Sequence, residues 1–262
     1  MTHQSWDFQF NYFGGLPQFS VLVFDNRGVG FSDAPRGLYT TADMAKDTLE
    51  LLAINGWNDA HIVGISMGGM IAQEMAIQAP RVVRSLTLTS THAGSILPPI
   101  GAIINIPQLI LARNPKQQVD KLNKLIFPPH WLHKPSVTVE GKLNKQVMRE
   151  TFLRRVSMYP PPRRYGVLGQ LAAALSHNVG LDRLQVIVQA KIPVLVATGT
   201  WENLVHPSHS EYLAKALKAR DYRVFQHAGH FIINELHEEY NQLLREFVQG
   251  VEAERTRELG KL

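Results

Sequence analysis

The segment Gly64-Ile65-Ser66-Met67-Gly68 carries a serine with a glycine two residues to either side. A serine hydroxyl is a weak nucleophile until a base takes its proton and the backbone leaves its oxygen accessible. In a strand-turn-helix context, glycines at 64 and 68 would keep side chains out of a crowded turn, and the Met67 amide would point at a developing oxyanion. The motif therefore predicts acyl-transfer chemistry at Ser66, although an ordinary strand-to-helix turn with an incidental serine also fits these five residues.

The residues around Ser66 have the patterns of a strand and a helix. Residues 61–66 form a short β-branched, apolar run, and residues 67–78 have a helical periodicity that stops before Pro80. We also predict strands at 19–25, 82–88, 193–197 and 223–226 and helices at 41–54, 208–220 and 238–251, with 19–25 as a central strand. This alternation predicts an α/β fold in which helices cover both faces of a mostly parallel sheet.

About a hundred residues rich in Pro, Leu, Ile and basic side chains separate the strands predicted near residues 88 and 194. We predict an inserted, mostly helical cap at 93–190, because structureless loops of that length are rare. The α/β core is then formed by 1–92 and 191–262. The most apolar stretch, 95–112, is interrupted by prolines and is too short to span a membrane. We therefore expect it to line a pocket or lid, and we expect no transmembrane segment.

Composition narrows the function classes. The chain has 262 residues, enough for one well-buried α/β domain, and a net charge of +5 without a dense basic block. Basic residues between 149 and 164 could contact an anionic surface, but a solvated face is favoured, and we expect no nucleic-acid partner. The absence of cysteine excludes a disulfide framework, a thiolate metal site and a cysteine nucleophile. No secretory signal opens the chain, so we expect a cytoplasmic protein.

We expect no cofactor. The segment from Asp25 to Asp33 contains Gly28 and Gly30, but it lacks the third glycine of a dinucleotide fingerprint and the Gly-Lys-Ser/Thr of a phosphate loop. We predict instead a strand-ending turn in which Asp25 and Arg27 satisfy backbone groups.

Four segments stand out together: Phe24-Asp25-Asn26-Arg27-Gly28-Val29-Gly30-Phe31-Ser32-Asp33, Gly64-Ile65-Ser66-Met67-Gly68-Gly69, Gly199-Thr200-Trp201-Glu202-Asn203-Leu204-Val205-His206-Pro207 and Ala228-Gly229-His230. They span nearly the whole chain, and in combination they resemble the α/β-hydrolase fold enzymes of the lid-bearing esterase and lipase-like type. The resemblance implies a Ser-acid-His triad in that chain order.

The resemblance places the general base at His230, just after a predicted strand, with Glu235 shortly beyond it. The chain has 11 histidines, and we expect His206, His209 and His227 to be bystanders. His227 and His230 could be drawn as a metal pair, but no His-Glu-x-x-His helix accompanies them, so we expect no metal site.

The resemblance places the acid three residues after the glycine that ends a strand, and that position is Glu202. A glutamate can orient and stabilise a histidine as an aspartate does. A solvent-facing role for Glu202 is the alternative, and Asp182 is the nearest upstream acid that could replace it.

The resemblance further implies three strands before the start of this sequence, the third ending in a His-Gly loop that supplies a second oxyanion amide. Residues 6–9 match the start of the helix that follows that loop. The third strand would lie between the strand ending at Asp25 and the strand ending at Ser66. We therefore expect a truncated form with a central gap and one oxyanion donor fewer, a loss that costs on the order of 10² to 10³ in turnover.

Two functions remain open. The first is hydrolysis of a carboxylic ester or similar acyl substrate, apolar in character, by Ser66, His230 and Glu202 with the Met67 amide as oxyanion donor; thioester, perhydrolase and carbon-carbon bond chemistry share this triad. The second is a ligand-binding or scaffold protein that keeps the fold without turnover. Serine at the nucleophile position argues against dehalogenase and epoxide hydrolase chemistry, which need a carboxylate.

Overall fold

The structure is a computed structural model that describes residues 2–94 and 114–260. Its centre is a parallel sheet of four strands in the order β1-β2-β3-β4, formed by Ala60–Ile65, Val83–Thr89, Val194–Gly199 and Asp221–Phe225. β3 is buried along its whole length, as expected for an apolar strand in a parallel sheet that is covered on both faces.

Helices fill the segments between the strands. Within the described residues they are α1 (Asp7–Gly14), α2 (Thr41–Ile54), α3 (Met67–Gln78), α4 (Pro115–Ile126), α5 (Pro129–Leu132), α6 (Asn144–Met158), α7 (Arg164–Ser176), α8 (Leu181–Gln189), α9 (Pro207–Ala216), α10 (Ile232–Glu235) and α11 (His237–Leu259). α2 and α3 have the predicted bounds, whereas α9 ends before residue 220 and α11 continues beyond residue 251.

Alternate residues of β3 pack on opposite faces of the sheet. Leu195 and Ala197 belong to a buried cluster with residues of α11, whereas Val194 and Val196 belong to a second cluster with residues of α3, α8 and α9. The predicted α/β class, with helices on both faces of a parallel sheet, is confirmed.

The segment inserted between β2 and β3 is helical at α4 to α8. α8 buries Leu184 and Ile187 in the same cluster as β2 and β3, although it lies in the region predicted as cap. The division at residues 93 and 190 stays a prediction. The apolar stretch 95–112, expected to line a pocket or lid, lies outside the described residues. None of the described helices combines the length and the apolar character needed to cross a membrane.

The prediction of a central strand at 19–25 is wrong. This segment has no strand pairing and is mostly half-buried, with Phe19 packed edge-on against Phe13 at 5.0 Å. Its β-branched, apolar composition favours a strand, but a strand forms only where a neighbour completes its hydrogen-bond ladder. β1 is an edge strand of the sheet, and the described residues place no strand between it and this segment.

The turn after residue 25 is built partly as predicted. Asp25 Oδ1 accepts a hydrogen bond from the His3 amide at 2.7 Å, and its other oxygen accepts one from the Phe31 amide. Among the described residues, the guanidinium of Arg27 has no hydrogen bond to a backbone group, so this part of the prediction is wrong. The guanidinium forms a paired hydrogen bond with both carboxylate oxygens of Asp47 on α2, which raises the pKa of Arg27.

Candidate active site

Ser66 occupies the turn that joins β1 to α3, with φ 53° and ψ −123°. A non-glycine residue at positive φ is strained, and surrounding contacts must hold it there. The Ser66 amide donates to the Thr89 carbonyl at 2.9 Å, and the Ser66 carbonyl accepts from the Gly69 amide at 2.9 Å and from Thr91 Oγ1 at 2.7 Å. The end of β2 therefore fixes the backbone of Ser66.

Two glycines make the turn possible, Gly64 by leaving space for the backbone of Gly68 and Gly69 by leaving space for the side chain of Thr91. A Cβ at Gly64 would lie 2.3 Å from the Gly68 carbonyl oxygen, and a Cβ at Gly69 would lie 2.6 Å from Thr91 Cγ2. The expectation that Gly68 also keeps a side chain out of a crowded turn is wrong, because among the described residues its Cβ would meet no atom within 4 Å beyond its chain neighbours and its own helix backbone. The crowding lies between Gly64 and the backbone of Gly68 and between Gly69 and the side chain of Thr91.

Met67 is the first residue of α3, so its amide is among the first four of the helix, which have no acceptor within it. Helix N-termini carry partial positive charge, which favours an anion near Ser66. This is the backbone group predicted as the oxyanion donor.

Glu202 and His230 lie on the loops that follow β3 and β4. His230 Nδ1 is 2.8 Å from Glu202 Oε2, and the side chains of His230 and Glu202 are 3% and 0% exposed. The other oxygen of Glu202 accepts from the amides of Leu204 at 2.8 Å and Val205 at 3.2 Å. The carboxylate is therefore fixed from both sides, and it holds the imidazole in one orientation.

The two loops are joined by backbone contacts. The Trp201 amide donates to the Ala228 carbonyl at 2.9 Å, and a Cβ at Gly199 would lie 2.1 Å from that same oxygen. The glycine that ends β3 thus permits the close approach that brings Glu202 to His230.

The structure brings two of the three predicted triad residues into contact. Ser66, Glu202 and His230 each follow the carboxyl end of a parallel strand, so all three lie at the same edge of the sheet. Within the described parts of the chain, no hydrogen bond joins the Ser66 hydroxyl to His230. Asp182, the alternative acid, is exposed in the first turn of α8 and has no hydrogen bond to His230 there.

The other histidines have separate surroundings. His206 caps α9 through its side chain, His209 lies beside His92 at 6.2 Å between ring centroids, and His227 lies at 6.1 Å from His130. Across residues 2–94 and 114–260, no group of three or more His, Asp or Glu side chains could hold a metal ion.

Two residues that support the site were not singled out for these roles. Thr91, just beyond β2, holds the carbonyl of Ser66, and Glu235 Oε2 accepts from the Gly229 amide at 2.8 Å, directly before His230. Burial raises the pKa of Glu235 to about 7. The position of Thr91 after a predicted strand was a usable signal, because that places it at the same edge of the sheet as Ser66.

Comparisons with known proteins agree with the fold. Residues 3–235 match a family model described as alpha/beta hydrolase fold. A protein from Azorhizobium caulinodans, with the provisional name carbamate hydrolase RutD, is 28% identical over 199 residues, which are 75% of this chain and 69% of that protein.

Solved structures resemble the chain as well. A hydrolase from Pseudomonas aeruginosa PA01 is 26% identical with a TM-score of 0.72, and the match covers 94% of this chain and 85% of that one. The enol-lactonase from Burkholderia xenovorans LB400 is 22% identical with a TM-score of 0.73, covering 95% and 87%, a likeness that concerns the fold.

Proposed function

The chain belongs to the alpha/beta hydrolase fold family, and on that premise we propose that it is a serine hydrolase that cleaves a carboxylic ester or similar acyl substrate. The observation that carries the proposal is the buried hydrogen bond between His230 and Glu202, 2.8 Å long, at the edge of the sheet where Ser66 occupies its strained turn. A buried acid-imidazole pair at the same edge as an elbow serine suits general-base catalysis.

The reaction begins when Ser66 Oγ attacks the carbonyl carbon and His230 Nε2 takes the hydroxyl proton. The negative charge on the substrate oxygen is held by the Met67 amide, and the imidazolium is stabilised by Glu202. His230 then gives its proton to the leaving alcohol as the ester bond breaks, which leaves an acyl group on Ser66. Water, deprotonated by His230, attacks this acyl-enzyme, and His230 returns the proton to Ser66 Oγ as the bond to the acyl group breaks and the acid leaves.

The approach of His230 to the Ser66 hydroxyl is expected to tighten when substrate binds, since catalytic hydrogen bonds in unliganded enzymes are often long or poorly aligned. The substrate is proposed to be apolar. The composition of the inserted region, rich in Pro, Leu and Ile, supports this. The carbamate named for the Azorhizobium caulinodans relative is also an acyl compound.

A second candidate is a ligand-binding or scaffold protein without turnover. One observation favours it: within the described parts of the chain, the Glu202–His230 pair has no hydrogen bond to the Ser66 hydroxyl. A serine hydroxyl without a base that takes its proton is a weak nucleophile.

Hydrolysis of p-nitrophenyl esters by the wild type and by S66A separates the two. We expect S66A to lower kcat at least about 10³-fold, while S157A, which removes an exposed serine hydroxyl from α6, leaves it unchanged. A fluorophosphonate probe should label the wild type and S157A, and should not label S66A. Absence of both turnover and labelling in folded wild type would overturn the hydrolase proposal in favour of the second candidate.

A further inference from the structure

The helix α7 (Arg164–Ser176) packs on the rest of the protein through its smallest residues. Gly166, Gly169 and Ala173 form its buried face. A Cβ at Gly166 would lie 2.4 Å from the Gly28 carbonyl oxygen, and one at Gly169 would lie 2.4 Å from the Tyr39 ring. Only this small-residue face fits against Gly28 and Tyr39, so the opposite face of α7 points outward.

The outward face of α7 is apolar. We call it the leucine face, and it consists of Val167, Leu168, Leu171 and Leu175, which are 45%, 57%, 39% and 73% exposed. Leu168, Leu171 and Leu175 follow the spacing that places side chains on one side of a helix. A helix that buries glycine and exposes leucine reverses the usual arrangement of a surface helix, and such exposed patches mark interaction sites.

Basic side chains border the leucine face. Arg164 lies four residues before Leu168 on the same side of the helix and is exposed, as is Arg163. Arg36 lies over the ring of Tyr165, with its guanidinium carbon 5.3 Å from the ring centroid. Arg163 pairs with Asp33 at 3.9 Å, but the side chain of Asp33 is itself 97% exposed, so water screens the pair. The border is therefore positively charged.

The basic residues between 149 and 164, expected from the sequence to form one solvated face, are divided by the fold. Arg149 pairs with Asp120 at 3.2 Å, and Arg155 is buried with its guanidinium on Asp7 and the Gln4 carbonyl. Arg154 is exposed on α6, and Arg163 and Arg164 are exposed beside the leucine face. Two arginines of this segment therefore adjoin the exposed apolar side chains.

We propose that the leucine face of α7 docks onto an anionic lipid surface, with Val167, Leu168, Leu171 and Leu175 entering the boundary of the acyl chains and Arg36, Arg163 and Arg164 contacting phosphate headgroups. A helix with exposed leucines and arginines at its border has the composition of a helix that lies in the plane of a membrane interface. The positive border favours a negatively charged partner over a second copy of this chain, whose face would carry the same arginines.

Sedimentation with vesicles tests this proposal. We expect the full chain to bind vesicles of phosphatidylcholine mixed with phosphatidylserine, to bind phosphatidylcholine alone far more weakly, and to be released by added salt. The double variant L168S/L175S should weaken binding to the mixed vesicles at least about tenfold. R163Q/R164Q should weaken it and reduce its dependence on salt. I54S, which changes an exposed apolar residue at the end of α2, should bind as the wild type does.

Two results would overturn the proposal. One is equal vesicle binding by the wild type and L168S/L175S with both folded, as judged by circular dichroism. The other is a wild-type dimer that L168S/L175S makes monomeric, without any binding to vesicles, which would assign the leucine face to contact between copies. Sedimentation measures binding and not hydrolysis. Failure of the hydrolase proposal for Ser66 would therefore leave the outcome of this experiment unaffected.

Discussion

His230 Nδ1 meets Glu202 Oε2 at 2.8 Å, in a pair almost wholly removed from solvent. The second oxygen of Glu202 is occupied by two backbone amides, so the carboxylate cannot rotate without losing hydrogen bonds. In the proposed mechanism, His230 Nε2, on the far side of the ring, exchanges a proton with Ser66 and the substrate.

Removing the negative charge of Glu202 should slow hydrolysis without unfolding the protein. E202Q keeps the size of the side chain but cannot stabilise an imidazolium, so we expect kcat to fall by about 10² to 10⁴. E202D keeps the charge on a shorter side chain, and its kcat should lie between that of E202Q and that of the wild type. D182N, at the exposed alternative acid, serves as control. Unchanged kcat in E202Q would show that another group orients His230.

The two glycines around Ser66 should differ sharply in their tolerance of a methyl group. G64A forces a Cβ to within 2.3 Å of the Gly68 carbonyl oxygen, and we expect it to lower the free energy of unfolding by about 3 kcal/mol or more and to abolish labelling of Ser66. G68A adds its Cβ to open space in the first turn of α3, where alanine is favoured, and should change stability by less than about 1 kcal/mol. Urea denaturation of both variants measures the contrast, and equal destabilisation would contradict it.

Glu235 should make the protein less stable as pH rises. Its pKa is about 7 in the folded protein against 4.5 for an ordinary glutamate, because burial disfavours its charged form. The stability that its neutral form contributes is complete below pH 4.5 and is lost as pH rises through 7, by at most about 3 kcal/mol. E235Q stays neutral, still accepts from the Gly229 amide and should remove this loss. E238Q, at an exposed position of α11, should leave the pH profile of unfolding as it is.

His92 and His177 should have the opposite dependence on pH. Their rings lie 5.8 Å apart in the interior, and burial lowers the pKa of each to about 4. Unfolded histidines take up protons below about pH 6.5, so the stability contributed by the neutral buried rings is complete above that value. It is lost as pH falls through 4, at about 1.4 kcal/mol per pH unit for each ring.

In the double variant H92N/H177N, the free energy of unfolding should fall less steeply as pH is lowered from 7 to 4. The amide side chain introduced by H92N would keep an acceptor for the Gly94 amide, which donates to His92 Nδ1 at 2.9 Å. Denaturation between pH 4 and pH 7 is the measurement, and H133N, at an exposed histidine of the inserted region, is the control. If the free energy of unfolding falls equally steeply with pH in H92N/H177N and in H133N, the loss of stability in acid belongs to other groups.

Local signals in the sequence were sufficient for α2 and α3. Thr40 accepts a hydrogen bond from the Asp43 amide at the start of α2, and Pro80 follows soon after α3 ends. Caps and prolines act over a few residues, so they can be recognised without knowledge of the fold. The apolar run at 19–25 carried an equally clear pattern, but pairing depends on a distant strand, which composition does not reveal.

The candidate site was predictable in its parts rather than in its contacts. Ser66, Glu202 and His230 were identified from motifs and family resemblance, whereas the spacing of 28 residues between Glu202 and His230 does not require that they touch. Their contact follows from backbone packing at Gly199 and Ala228. The open space beside Gly68 and the hydroxyl of Thr91 behind Ser66 likewise depend on how β1 and β2 align, which no local pattern encodes.

The anchoring of Ser66 to β2 determines how fast its backbone can move. Its amide donates to the Thr89 carbonyl of β2, a bond that cannot open unless β1 separates from β2, and its carbonyl accepts from the Thr91 hydroxyl. In native-state hydrogen exchange, the Ser66 amide should therefore be replaced by deuterium as slowly as the other amides that pair β1 with β2. The proposed nucleophile thus opens together with the first strand pair of the sheet, although it lies in a turn.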